Sequence, residues 1–154
     1  MLALNYILGI AYSVILLYAS YKDIRIRRVS DRVHFAILVL AVIKTGISAV
    51  YGYKIDVLNM AGGALFSALP LLVAAVLTGG KIGGADIKLM AASGLLLGLK
   101  GGISALYIGL ILSIIGTILL CKYKKTDLTA SIPFVPYLSA GCFTAYLLKL
   151  TGVM

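Results

Sequence analysis

Six apolar stretches, residues 2 to 21, 33 to 53, 57 to 78, 87 to 99, 103 to 121 and 131 to 149, leave this chain few choices of fold. Most approach the ~20 residues that cross a bilayer as a helix. Hydrophobic residues make up 62% of the chain and charged ones 12%, with a mean hydropathy of +1.09, which lies far outside the range of soluble globular proteins. The chain therefore reads as all-α: a polytopic membrane helix bundle of about six transmembrane helices, forming one membrane-embedded domain over residues 1–154. The fourth run is the short one. With the Gly98 to Gly102 break behind it, it is either a short spanning helix or half of a re-entrant hairpin.

The first charge is Lys22, so the chain lacks both the basic start and the small-residue cleavage site of a signal peptide. Helix 1 is expected to stay in the protein. Lys22, Arg25, Arg27, Arg28 and Arg32 crowd the first loop, Lys81 and Lys88 the third, and Lys122, Lys124 and Lys125 the fifth. The other loops and the C-terminal end carry only Lys54, Lys100 and Lys149. Because Lys and Arg are retained on the cytoplasmic side, loops 1, 3 and 5 are expected there, with both termini outside. The net charge of +9 is spread beside helix ends without a basic, aromatic-interleaved stripe, which points to topology and anionic headgroups and away from nucleic acid. Tyr18, Tyr21, Tyr51, Tyr53, Tyr123 and Tyr137 near helix ends fit an interfacial belt. Cys121 and Cys142 form no CxxC pair and indicate neither zinc nor a disulfide framework.

Only five acids are present, all Asp. Asp56 and Asp127 lie in loops and read as solvated charges. Asp86, in Gly83-Gly84-Ala85-Asp86-Ile87-Lys88 between two apolar runs, does not: a carboxylate at the mouth of a membrane helix is costly unless it neutralises, pairs or faces water. Asp23 follows the first apolar run directly, so the charge bias puts both acids near one membrane face. If helices 1 and 4 are neighbours, the two carboxylates converge. Two close carboxylates share one proton because both cannot readily ionise, which suits hydrolysis of an amide. The ionised member draws a proton from water, the protonated member polarises the carbonyl, and no metal or cofactor is required.

Asp31, after Ser30, is a third acid in the same basic loop, and its simpler reading is an N-cap for helix 2. The glycines at 79, 80, 83 and 84 allow a turn that lets backbone approach a substrate, although the phosphate-binding loop pattern is absent. His34, the one histidine, reads as a packed or interfacial residue. Lys44, inside helix 2, reads as snorkelling toward the outer interface.

The segment Gly83-Gly84-Ala85-Asp86-Ile87-Lys88-Leu89-Met90 resembles the second catalytic motif of the type IV prepilin peptidase family of GxGD aspartic peptidases. Asp23-Ile24-Arg25-Ile26-Arg27-Arg28-Val29 looks like that family's first catalytic segment, and Ile132-Pro133-Phe134-Val135-Pro136-Tyr137 like its late proline motif. The resemblance implies that Asp23 and Asp86 are the catalytic pair, supported by Gly83, Gly84, Lys88, Pro133 and Pro136. It further implies a substrate that is a prepilin-like protein, type IV, tight-adherence or archaeal preflagellin, with a basic leader before an apolar helix. Cleavage would fall at the cytoplasmic face of the cell membrane. Ala85 stands where the family usually has Gly, and Ser30-Asp31 where it commonly has Pro and Asn. The chain carries no N-methyltransferase insertion of the longer members and looks like a short, peptidase-only one. The alternative from a different class is a small ion-coupled transporter using Asp23, Asp86 and Lys44 as a relay. It would need acids and bases near mid-membrane.

Overall fold

The computed structural model of the chain describes residues 2–80, 82–124 and 133–152. Lys81, Lys125, Asp127 and Ile132 lie outside the described residues. The described chain is entirely helical: α1 Leu2–Ile26, α2 Asp31–Val50, α3 Val57–Leu77, α4 Gly84–Lys124 and α5 Val135–Leu150. Four of these are long and apolar enough to cross a membrane. The large apolar side chains on their outer faces, such as Ile10, Leu17, Val76 and Ile118, are more than half exposed, the inverse of a soluble surface and suited to lipid. This is a multi-pass membrane protein.

The 41 residues of α4 are two helical segments, because Gly98 has φ 78 and ψ −179, a conformation open essentially to glycine alone. The chain folds back there: a Cβ on Gly102 would lie 3.1 Å from the Gly94 Cα, which a continuous helix would hold a dozen ångströms away. With the segments before and after Gly98 counted separately, the helices among the described residues number six, in keeping with the apolar runs, and the short fourth run is one arm of a hairpin. The break is sharper than the glycine-rich stretch suggests. Helix resumes at once, with Gly101 and Gly102 inside the second arm.

The severed end of the first arm has its carbonyls satisfied from other helices, as a buried helix terminus requires. Lys44 Nζ donates to Leu96 O at 3.2 Å and Lys149 Nζ to Leu97 O at 2.5 Å. Across the break, Leu99 N donates to the Asn59 side chain at 2.8 Å. Lys44 therefore turns inward onto a helix end, where cations are favoured, instead of snorkelling outward.

The α4 hairpin is the centre of the bundle, packed against α2, α3 and α5, with α1 laid against α5 and α2. Backbones touch where side chains are missing: a Cβ on Gly63 of α3 would meet the Gly94 carbonyl and come within 2.5 Å of Gly98 C. Such small-residue contacts are how membrane helices associate without a hydrophobic driving force. The core between α1, α4 and α5 contains Tyr12, Leu16, Leu89, Leu97, Leu138 and Cys142. Tyr146 OH, donating to Asn5 O at 2.7 Å, ties the end of α5 to the start of α1. The start of α1 and the end of α5 thus lie at the Lys44 end of the bundle. Of the tyrosines read as an interfacial belt, Tyr18, Tyr21, Tyr51 and Tyr53 are exposed.

Candidate active site

At the opposite end the helices leave a cavity of about 860 Å³, walled by the end of α1, the middle and end of α3, both arms of α4 and the start of α5. Asp23 and Asp86 both line it. Each is largely buried, 9% and 8% exposed, and each lies within electrostatic reach of the other. The expected adjacency of helices 1 and 4 is not what joins them: among the described residues α1 packs on α5 and α2, α4 on α3, α5 and α2, and the two acids reach one cavity across that arrangement.

Asp23 sits in the last turn of α1 and its position is fixed by α5. Pro133 precedes that helix and Pro136 occupies its first turn, where a proline costs no hydrogen bond and presets the backbone. The N–H of Val135, an orphan donor of the helix start, donates to Asp23 Oδ2 at 3.2 Å. The late prolines thereby serve the first acid. Nothing in the sequence ties residue 135 to residue 23. Immediately beyond Asp23, α1 ends at Arg27, whose φ of 53 is the only left-handed backbone among the described non-glycine residues. Its N–H closes the helix onto Asp23 O at 2.9 Å, and holding a non-glycine residue there costs about 1–2 kcal/mol. Arg27 and Arg28 join the cavity wall beside the acids.

Asp86 sits in the first turn of α4, its N–H donating to Gly83 O at 3.0 Å. Gly83 has a steric reason to be glycine, since a Cβ there would stand 3.2 Å from Asp86 Oδ2, whereas nothing lies within 4 Å of one on Gly84. Ala85, the departure from the family pattern, is in ordinary helix, where a methyl brings no strain. The glycines with positive φ in this turn are Gly79 and Gly80, away from the acid.

The other sequence candidates fall elsewhere. Ser30 is the N-cap of α2, with its side chain accepting from Arg32 N, which corrects the reading of Asp31 as the cap. Asp31 is the first helical residue and accepts an ion pair from Lys88 at 2.7 Å, outside the cavity. Lys88, the motif lysine, thus faces away from the acid pair. His34 is buried at 5% and bonds the Ala85 carbonyl from α2, a link the sequence reading missed because nothing local in either segment signals it. Lys44 lines a separate polar depression with Asp56, Asn59 and Lys149, at the far end of the bundle from Asp23 and Asp86.

The remaining walls are mostly apolar, with the hydroxyls of Ser113 and Thr117 among them. Pro70, which interrupts the hydrogen bonding inside α3, stands with Leu71 and Ala74 on one side, and Leu110, Ile114 and Thr117 of the second α4 arm on the other. The cavity therefore joins a charged corner to a largely apolar side.

Comparison with known proteins places the chain in a family. The chain is 28% identical over 142 residues to a protein of Bacillus subtilis (strain 168) named prepilin leader peptidase/N-methyltransferase, covering 90% of this chain and 54% of that protein. It thus spans about half the length of that relative. No solved structure matches it. The model of the type IV leader peptidase family matches residues 10–121, which include both cavity acids. On that match, the chain belongs to the type IV leader peptidase family.

Proposed function

We propose that this protein is a membrane aspartic endopeptidase that cleaves the basic leader from prepilin-like proteins, with Asp23 and Asp86 as its catalytic pair. The observation that carries the reading is the shared cavity: the two acids, brought from separate helices, face one space large enough for a peptide segment and water. The relative's name supports the substrate class.

The pair holds one proton between its two carboxyls. The ionised carboxylate takes a proton from a water molecule as that water attacks the scissile carbonyl, while the protonated carboxyl donates to the carbonyl oxygen. The tetrahedral intermediate collapses with cleavage of the C–N bond, a proton passes to the leaving amine, and the pair is left with one proton again. Val135 N–H holds Asp23 in place through this cycle, and the room left by Gly83 lets Asp86 turn toward the substrate. The substrate's apolar helix lies against the Pro70–Ala74 and Leu110–Thr117 walls, with its leader at the charged corner. By the distribution of Lys and Arg, that corner faces the cytoplasm and both chain ends lie outside.

The transporter alternative has less support, since Lys44 caps a helix end at the opposite end of the bundle from the acids. The test is to incubate purified protein in detergent with a prepilin-like protein from the same genome. Wild type and the exposed-site control Lys100→Gln should convert it to the mature form, whereas Asp23→Asn and Asp86→Asn should not. Conversion at the wild-type rate by both Asn variants would sink the dyad.

A further inference from the structure

Behind Asp86, on the side away from the cavity, two residues of α2 grip two residues of α4. His34 Nε2 lies 3.0 Å from the Ala85 carbonyl oxygen. A carbonyl can only accept, so Nε2 carries the hydrogen and, in the neutral ring, Nδ1 is bare; it is buried with no hydrogen-bond partner, 3.7 Å from Asp31 Oδ1. One turn earlier on α2, Asp31 accepts from Lys88 Nζ at 2.7 Å. Asp31 and His34 are three residues apart, as are Ala85 and Lys88, so each helix presents both groups on one face. The result is a two-rung ladder between the start of α2 and the first turn of α4, and Asp86 lies between the rungs.

None of His34, Asp31 and Lys88 lines the cavity that holds the acids; they border a separate depression on the other side of α4. They therefore do not meet a substrate seated at Asp23 and Asp86. We infer that His34 and the Asp31–Lys88 pair are positioning residues that fix the Asp86 backbone, and through it the direction of its carboxylate. The buried His34 bond is the stronger rung. The ion pair is exposed, with side chains 58% and 79% accessible, and supplies less. The first turn of α4 needs such support, because it follows a loop with three glycines, Gly79, Gly80 and Gly83, and its other anchor near Asp86 is the local bond to Gly83 O. The inference rests on the peptidase reading above.

The test measures kcat, KM and thermal unfolding together in the leader-cleavage assay. His34→Ala should lower kcat by about 10- to 100-fold while KM stays within about twofold, the pattern of a displaced reacting group. His34→Gln, whose side-chain amide can donate to the same carbonyl, should recover most of the loss. Asp31→Lys alone should slow turnover a few-fold, and the exchanged pair Asp31→Lys with Lys88→Asp should restore it. The exchange remains informative if His34→Ala fails to fold. Wild-type kcat in His34→Ala, or a loss that follows unfolding temperature and is not relieved by Gln or by exchange, overturns the clamp. Wild-type cleavage abolished by Asp86→Asn in the same assay keeps the peptidase reading standing when the clamp fails. Cleavage unaffected by Asp86→Asn and Asp23→Asn overturns both.

Discussion

Replacing Gly98 by Ala attacks the joint on which the bundle depends. At φ 78 and ψ −179 the residue occupies a region that costs a side chain on the order of 1–3 kcal/mol. The new Cβ would also stand 3.2 Å from Asn59 Oδ1, the acceptor of the Leu99 N–H at 2.8 Å. Loss of that exposed hydrogen bond adds about 1 kcal/mol. Gly98→Ala should therefore lower stability by roughly 2–4 kcal/mol, with the strain dominating. Gly46→Ala provides the opposite sign: it lies in regular α2 with nothing within 4 Å of a Cβ, so it should gain about 0.5–1 kcal/mol from helix preference. Both are read by reversible unfolding in mixed micelles with increasing denaturing detergent. If Gly98→Ala is as stable as wild type, or falls no further than Gly46→Ala, α4 does not reverse at residue 98. The position of Asp86 against the second arm would then have to be rebuilt.

Gly83→Ala should leave unfolding nearly unchanged but slow leader cleavage by about 2- to 10-fold, because its Cβ crowds Asp86 Oδ2 by a few tenths of an ångström. Gly84→Ala, with open space around it, should be milder, and equal effects would refute the steric account. Lys44→Met removes the donor to Leu96 O and should destabilise by about 1–3 kcal/mol while cleavage by the folded fraction persists. Loss of turnover at full stability would instead favour a relay that includes Lys44.

The membrane architecture was legible in the chain because lipid imposes a length rule that apolar runs must obey. The six runs match α1, α2, α3, the two arms of α4 and α5, although α5 begins at Val135, later than the run suggests. Asp86 stood out for a related reason. An acid beside an apolar run has few structural explanations. The sequence could also place Asp23 and Asp86 at the same membrane face, since basic residues mark that face locally.

Whether the two acids share one cavity was beyond it. Their approach depends on the reversal at Gly98, on glycine contacts between Gly63 and Gly94, and on the α5 start that bonds Asp23 from more than a hundred residues away. Each of these is a contact between segments with no shared periodicity or local signal. The same holds for Lys44, whose apolar surroundings suggested snorkelling while a severed helix end nearby offered it a carbonyl, and for Asp31, whose place beside Ser30 suggested a cap while Lys88 lay opposite. Hydropathy and charge act residue by residue and so can be read along the chain. Partners for buried polar groups are chosen in three dimensions, and only the packed bundle decided them.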